Sequence, residues 1–449
     1  MYGRGSGAEH SRGSGAEHFW DPRPEASSTV SSSLRPPSGA RDLLPREVQR
    51  REKLEAQLTR VFRRHGYQRI ITPTLERLET LLAGGSIRAE SVLQLRDGEG
   101  TMLGLRPEFT ASIVRAAATR LAGGPLPLRL YYHGSVFRNS RREEGSYSSQ
   151  EFFQSGVELI GAGGWLADAE ILLLLADCIR SIGISSCVNG TEAAWTLLLG
   201  DVSLTESLLS AVAPTAQAAV RRAIAQLDYV YLESAPLPEA ARQIGLQILG
   251  LRGQPGSVLS DLAQLPVPPE RLRDLRQLCQ VLEEHGVRVV LDLSLLQTLA
   301  YYTGIVFQAV AGGEIIALGG RYDRLHALYS PQQVEQPGIG FTLLPDTLLR
   351  LLPPDPKTEE MGCKRLVVPL VPAGIPAALA LAARWREECY AYGTLTGTAP
   401  LTRMEAVELE LLDRAPEEIE VYACQCGIPE IAWVQADGSY HITHPDCSR

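Results

Sequence analysis

An α+β fold of more than one domain is predicted by three features of the chain. Residues Thr101–Gly161 are turn-rich and strand-like, residues 190–285 form a leucine-rich helical block, and a strand–helix–strand order follows a proline-rich break at Leu351–Glu360. A chain of 449 residues also exceeds what one ordinary hydrophobic core organises. Four segments are expected: an extension 1–34, a core 35–350 carrying the helical insertion, a linker 351–363 and a small α/β domain 364–449.

Each element has its reason. Residues 1–34 are rich in Gly, Ser and Pro and repeat RGSGAEH at Arg4–His10 and Arg12–His18. They bury too little apolar surface to offset ordering entropy, so disorder is expected. Pro45–His65 reads as a helix because Leu54, Leu58, Val61 and Phe62 share a face, and Gly66 ends it. A strand follows at Tyr67–Ile71 and stops at Thr72-Pro73, and Thr110–Leu121 reads as a helix. Leu128–Arg138 and Glu151–Leu159 read as antiparallel strands joined by the polar loop Asn139–Gln150. Asp168–Ile182 is an apolar-faced helix.

Residues 190–285 read as an inserted helical subdomain, punctuated by Pro214, Pro236, Pro255 and Pro266–Pro269. Strands return at Val287–Leu291 and Gly304–Ala311, followed by Gly319-Gly320 and a helix from about Tyr322. Beyond the linker, Arg365–Leu370 reads as a strand and Pro376–Glu388 as a helix. The insertion Ala391–Glu405 suggests no role.

Composition narrows the function. A net charge of −9 argues against a dedicated nucleic-acid binder, which carries a basic field. No apolar run reaches the roughly 18 to 20 residues of a membrane span, and the start lacks a signal-peptide pattern, so a cytoplasmic protein is expected. Cys178, Cys187, Cys279, Cys363 and Cys389 then read as reduced thiols. The tail residues Cys424, Cys426, His441, His444 and Cys447 fit no tight zinc spacing and are expected to be surface residues, with a metal site as the alternative. No phosphate-binding GxxxxGK(S/T) loop is present, and no cofactor is implied.

Several stretches carry a resemblance through their order. PPSGARDLLP (Pro36–Pro45), the helix and strand ending at Pro73, LRPEFTA (Leu105–Ala111) and YYHGSVFR (Tyr131–Arg138) come first. EFFQSGVELIG (Glu151–Gly161), DLSLLQTLAYYTGIVF (Asp292–Phe307) and GGRYD (Gly319–Asp323) follow. Together they resemble the histidyl-tRNA synthetases, a class II aminoacyl-tRNA synthetase family. The resemblance implies a class II core, an antiparallel sheet flanked by helices, whose first helix and strand form a homodimer.

The departures from that family bear on function. Activation joins a carboxylate to the α-phosphate of ATP, and the charge that builds there needs fixed cations. The family's arginine in the histidine motif corresponds to Gln297, and its motif 3 arginine to Thr347. The motif 2 loop begins Phe137-Arg138-Asn139-Ser140, without the family's glutamate, so Arg138 alone remains on the phosphate side. Losing two such charge partners should abolish activation, and no catalytic residue is assigned.

The amino-acid side keeps its chemistry. An α-ammonium and an imidazole N–H need carboxylate and amide acceptors with aromatic walls. The resemblance implies Glu108, Thr110, Gln154 and Glu158 around the ammonium, and Tyr301, Tyr302 and Tyr322 flanking the ring. The plainer reading makes these core or interface residues of a decayed fold.

A kept pocket with lost activation resembles the synthetase-like paralogues that serve as ATP phosphoribosyltransferase regulatory subunits. That resemblance implies a non-catalytic subunit of histidine biosynthesis. Its partner would be the short-form catalytic subunit, with free histidine as effector and a homodimer core inside a hetero-oligomer. The C-terminal segment from Lys364 holds seven Lys/Arg against twelve Asp/Glu, which suits neither phosphates nor tRNA. The alternatives are an active histidyl-tRNA synthetase using displaced arginines (Arg141, Arg142, Arg321 or Arg324) and another synthetase-derived amino-acid-binding module.

Overall fold

The structure is a computed structural model that describes Leu34 and residues 36–37, 39–139, 151–184, 195–296, 301–353, 364–395 and 406–447, with backbone only for 389–395. The expected disorder of 1–34, except at Leu34, most of the Asn139–Gln150 loop, Gln297, the linker from 354, the insertion from 396 to 405 and the thiols of Cys187, Cys363 and Cys389 lie outside the described residues. The chain divides into two compact units, Pro36–Pro353 and Pro354–Arg449 with Met1–Arg35.

The first unit opens with α1 (Pro45–Arg64), whose proline tolerates the missing amide partner of a first turn. Glu47 accepts from the Leu44 N–H at 3.0 Å, and Gly66, at φ 80°, turns the chain out of the helix. Then come β1 (Gln68–Arg69), β2 (Leu75–Arg77), α2 (Leu78–Leu82), β3 (Gln94–Arg96) and β4 (Met102–Leu105). The expected strand Tyr67–Ile71 is paired only at Gln68 and Arg69. Helix α3 (Thr110–Thr119) precedes the ten-residue strands β5 (Leu128–Phe137) and β6 (Glu151–Ile160), and α4 (Gly164–Ser181) follows.

After α4 the expected helical block starts instead with a strand, β7 (Trp195–Asp201). Its apolar run reads equally as buried helix or buried strand. The alternation decides, since Trp195, Leu197 and Leu199 enter the core in turn. Helices α5 (Val202–Leu209), α6 (Pro214–Ala225), α7 (Tyr229–Ser234) and α8 (Glu239–Gly250), β8 (Arg252–Gly253), α9 (Pro255–Leu262) and α10 (Pro269–Glu284) lead to β9 (Val289–Asp292). Because β7 and β9 pair in parallel, these helices form the crossover that parallel neighbours require. Leu204, Val220, Ile248 and Leu275 share one core with Leu172, Leu199 and Phe307, so the block packs onto the core of the large sheet.

The unit closes with β10 (Ile305–Ala311), β11 (Glu314–Arg321), α11 (Leu325–Tyr329), β12 (Gly338–Leu343) and α12 (Pro345–Leu351). Nine strands form one sheet in the order β1-β5-β6-β12-β11-β10-β7-β9-β8. The expected antiparallel sheet holds through the middle, while β1–β5 and β7–β9 near the edges are parallel. A smaller sheet is ordered β2-β4-β3.

Both faces of the large sheet are covered. Tyr131, Val157 and Leu159 pack with α1 and α4, whereas Leu130, Tyr132, Val136 and Ile160 pack with Phe109 and Ile113. The second face carries the candidate site.

The second unit is a four-stranded sheet, β14 (Ala406–Leu409), β13 (Lys364–Pro369), β15 (Glu430–Val434) and β16 (Tyr440–Thr443), in that spatial order. Helices Ile375–Leu395 and Pro416–Gln425 accompany it. In the tail cluster Cys424 and Cys447 are joined as a disulfide, a pairing the sequence did not suggest, and Cys447 is exposed, as expected of a surface residue. Among the described residues Cys178, Cys279 and Cys426 are free thiols.

Candidate functional site

Glu158 sits on β6 with 1% of its surface exposed. Thr110, the first residue of α3, donates its hydroxyl to Glu158 Oε1 at 2.7 Å, and Tyr322, just past β11, donates to Oε2. Bare backbone makes the room. A Cβ at Gly338 would stand 2.3 Å from the Tyr322 ring, and one at Gly320 2.7 Å from the Tyr302 ring. Two side chains thus fill space that two strands leave by carrying glycine.

The electrostatics follow from burial. Among the described residues Glu158 has no ion-pair partner. Burial pushes its carboxyl up to about 8, the two hydroxyl donors oppose the shift, and Glu108 adds to it. The Tyr301 and Tyr322 hydroxyls are raised for the same reason, burial first. At neutral pH the free pocket therefore holds a largely protonated carboxyl group.

Glu108 has a structural part beside the one expected of it. Its Oε2 accepts from the Thr110 N–H at 2.5 Å and its Oε1 from the Ala111 N–H at 2.9 Å, so it caps α3. Each oxygen thereby takes one amide hydrogen bond, and Glu108 orients the turn that presents Thr110. Burial raises its carboxyl while these amides lower it.

The aromatic walls are present. Tyr301 meets Tyr302 edge-on at 4.9 Å and Tyr322 at 6.0 Å between ring centroids. A cavity of about 10 Å³, room for one water, lies beside them, lined by Gly84, Ser86, Glu108, Ala111, Tyr301 and Tyr329. Gln154 is buried on the same face of β6, but four residues from Glu158, or about 13 Å along the strand.

On the phosphate side Arg138 is exposed; its Nε donates to the Pro107 carbonyl at 3.0 Å, and its charge acts on Glu108. Thr347, buried in the first turn of α12, takes a 3.4 Å hydrogen bond from Arg350, which also pairs with Glu314 on the surface. Arg321 is held by Asp168 at 2.6 Å and Asp323 at 3.0 Å, and Arg324 is exposed. Gln297, Ser140, Arg141 and Arg142 lie outside the described residues.

Sequence reasoning missed a brace. Arg106, 6% exposed, donates to the carbonyls of Thr72 at 2.8 Å and Ser135 at 2.9 Å while lying 4.0 Å over the Phe109 ring. Its position inside LRPEFTA beside Pro107 was the available signal. The stacked pair Phe109–Tyr132, 4.2 Å between centroids, was also unread.

The histidyl-tRNA synthetase family matches residues 39–348. Two solved structures share the fold. One, described as an ATP phosphoribosyltransferase regulatory subunit/histidyl-tRNA synthetase from Bacillus halodurans C, has a TM-score of 0.73 at 26% identity, covering 90% of this chain and 99% of its own. The histidyl-tRNA synthetase of Nostoc sp. PCC 7120 has a TM-score of 0.68 at 19% identity, covering 92% and 97%, which bears on fold alone. The core is therefore that of a class II aminoacyl-tRNA synthetase.

Curated relatives narrow the class. The ATP phosphoribosyltransferase regulatory subunit of Synechococcus sp. (strain JA-2-3B'a(2-13)) is 95% identical over 445 residues, covering 99% of this chain and 100% of the relative. That of Cyanothece sp. (strain PCC 7425 / ATCC 29141) is 47% identical over 91% and 98%. The chain belongs to this family of regulatory, non-catalytic subunits.

Proposed function

We propose that the pocket centred on Glu158 binds free histidine, and that the chain couples this binding to a short-form ATP phosphoribosyltransferase catalytic subunit in histidine biosynthesis. The observation that carries the reading is Glu158 itself, a buried carboxyl met by the hydroxyls of Thr110 and Tyr322 and by no cation among the described residues. A buried acid is tolerated when a partner satisfies it, and each of its oxygens keeps a second acceptor site for an α-ammonium. Tyr301, Tyr302 and Tyr322 supply the walls for an imidazole, and Gln154 and Glu108 shape the surroundings.

The same pocket is poorly suited to a reacting triphosphate. Arg321 is committed to Asp168, and Thr347 brings no charge. Arg138 is the residual cation of motif 2, and it serves as a rim contact. The acidic C-terminal unit favours a protein contact over tRNA, and the core is read as a homodimer within a hetero-oligomer in the cytoplasm. No helix among the described residues is long and apolar enough to cross a membrane.

Linkage gives the regulatory logic. If histidine binds one assembly state better, a coupling of about 1 to 3 kcal/mol shifts activity roughly 5- to 150-fold. Calorimetric titration of the purified chain with histidine tests the pocket. Saturable binding that disappears in a folded Glu158→Ala variant is expected, and unchanged affinity in that variant rejects the assignment. Co-purification with the catalytic chain tests the partnership.

A further inference from the structure

Glu158 is walled by groups that carry no positive charge. Glu108 lies ahead of α3, Tyr132 on β5, Tyr301 and Tyr302 ahead of β10 and Tyr322 after β11; Glu108 acts electrostatically on Glu158, and the Glu158 charge in turn raises each of these tyrosines and Tyr67 beyond α1. The cations nearest in sequence to these groups are used elsewhere. Arg138 acts on Glu108 and donates to Pro107, Arg321 is paired with Asp168, and Arg106 donates to Thr72, Pro73 and Ser135.

Water cannot easily replace a missing counter-charge there, because the residue is 1% exposed and the Gly340 backbone packs directly on its carboxyl. The acid has two ways to exist. It stays protonated, or it ionises against a cation brought by the ligand.

We infer that amino-acid binding in this pocket is a proton-for-ammonium exchange, in which the arriving α-ammonium displaces the Glu158 proton to solvent. This rests on the pocket reading above and adds the regulation of that site: affinity rises with pH, and a ligand lacking the ammonium does not drive the exchange. The sign follows from the two states. The free carboxyl is pushed up to about 8 by burial, and an ammonium at hydrogen-bond distance brings it back down. Between those values the bound state holds fewer protons than the free state, so raising the pH favours binding.

The experiment is calorimetry of the full chain with histidine at about pH 7.5 in two buffers of different ionisation enthalpy. More than about half a proton should be released per histidine bound, and affinity should rise about fivefold from about pH 7 to 8. N-acetylhistidine, which has no ammonium, should bind weakly and release almost none. Glu158→Gln should bind histidine weakly with heats that no longer depend on buffer. Tight histidine binding with buffer-independent heats in the unaltered protein overturns the exchange and leaves the pocket reading standing. Absence of histidine binding overturns both.

Discussion

Gly340 and Glu158 are register partners across β6 and β12, and a Cβ on Gly340 would stand 2.0 Å from a Glu158 carboxylate oxygen and 2.4 Å from the Val157 carbonyl. The acid occupies the volume that the glycine gives up. Gly340→Ala is therefore expected to push Glu158 off Thr110 and Tyr322, lowering stability by about 1 to 3 kcal/mol and removing histidine binding. Urea unfolding and titration of the variant check this, and normal affinity would show that the carboxyl does not need its present place.

Tyr322→Phe keeps the ring and removes one donor. Loss of a hydrogen bond to an ionised group is worth roughly 1.5 to 3 kcal/mol, so histidine affinity should fall about tenfold or more. Equilibrium dialysis measures it. An unaltered dissociation constant would place the ligand elsewhere.

The buried ion pair Arg321–Asp168 is structural. Asp168 is wholly buried and Arg321 4% exposed, so Arg321→Ala leaves a carboxylate in the core with only the more distant Arg271 at 3.9 Å. A loss of about 3 to 5 kcal/mol in unfolding free energy is expected, read from denaturant curves. A near-neutral effect would free Arg321 for a role at the pocket.

His133 links α1 to β6 as a neutral ring, with Thr59 on Nε2 and Ser155 on Nδ1, both at 2.8 Å. Burial, with Arg69 and Arg51 nearby, brings its imidazole down to about 4. A group depressed on folding stabilises the protein above its unfolded value near 6.5, and that contribution is lost as the pH falls from there through about 4. It amounts to about 3 kcal/mol at most, because the side chain is only partly buried. Thermal melts against pH should show His133→Asn less sensitive than the parent chain in that window.

Much of this was legible in the sequence, for identifiable reasons. The β5–β6 pair announced itself by two long apolar-rich strands around a polar loop, whereas Glu158 came only through the resemblance to the histidyl-tRNA synthetases. Trp195–Asp201 was illegible as a strand because an unbroken apolar run carries no period until its neighbours β10 and β9 are known. The capping part of Glu108 was not legible because a residue that caps α3 also looks like a ligand group, and only the placement of the Thr110 and Ala111 amides reveals it. The glycines at 320, 338 and 340 carry no such signal in the sequence, although each marks the place of another residue's side chain.

Histidine-dependent exchange of pyrophosphate into ATP, measured on the purified chain at histidine concentrations that saturate the pocket, tests the central claim most directly. A chain that recognises the amino acid yet carries Gln297 and Thr347 where the synthetases carry arginine should show bound histidine and no exchange above background. Exchange that scales with histidine would contradict it.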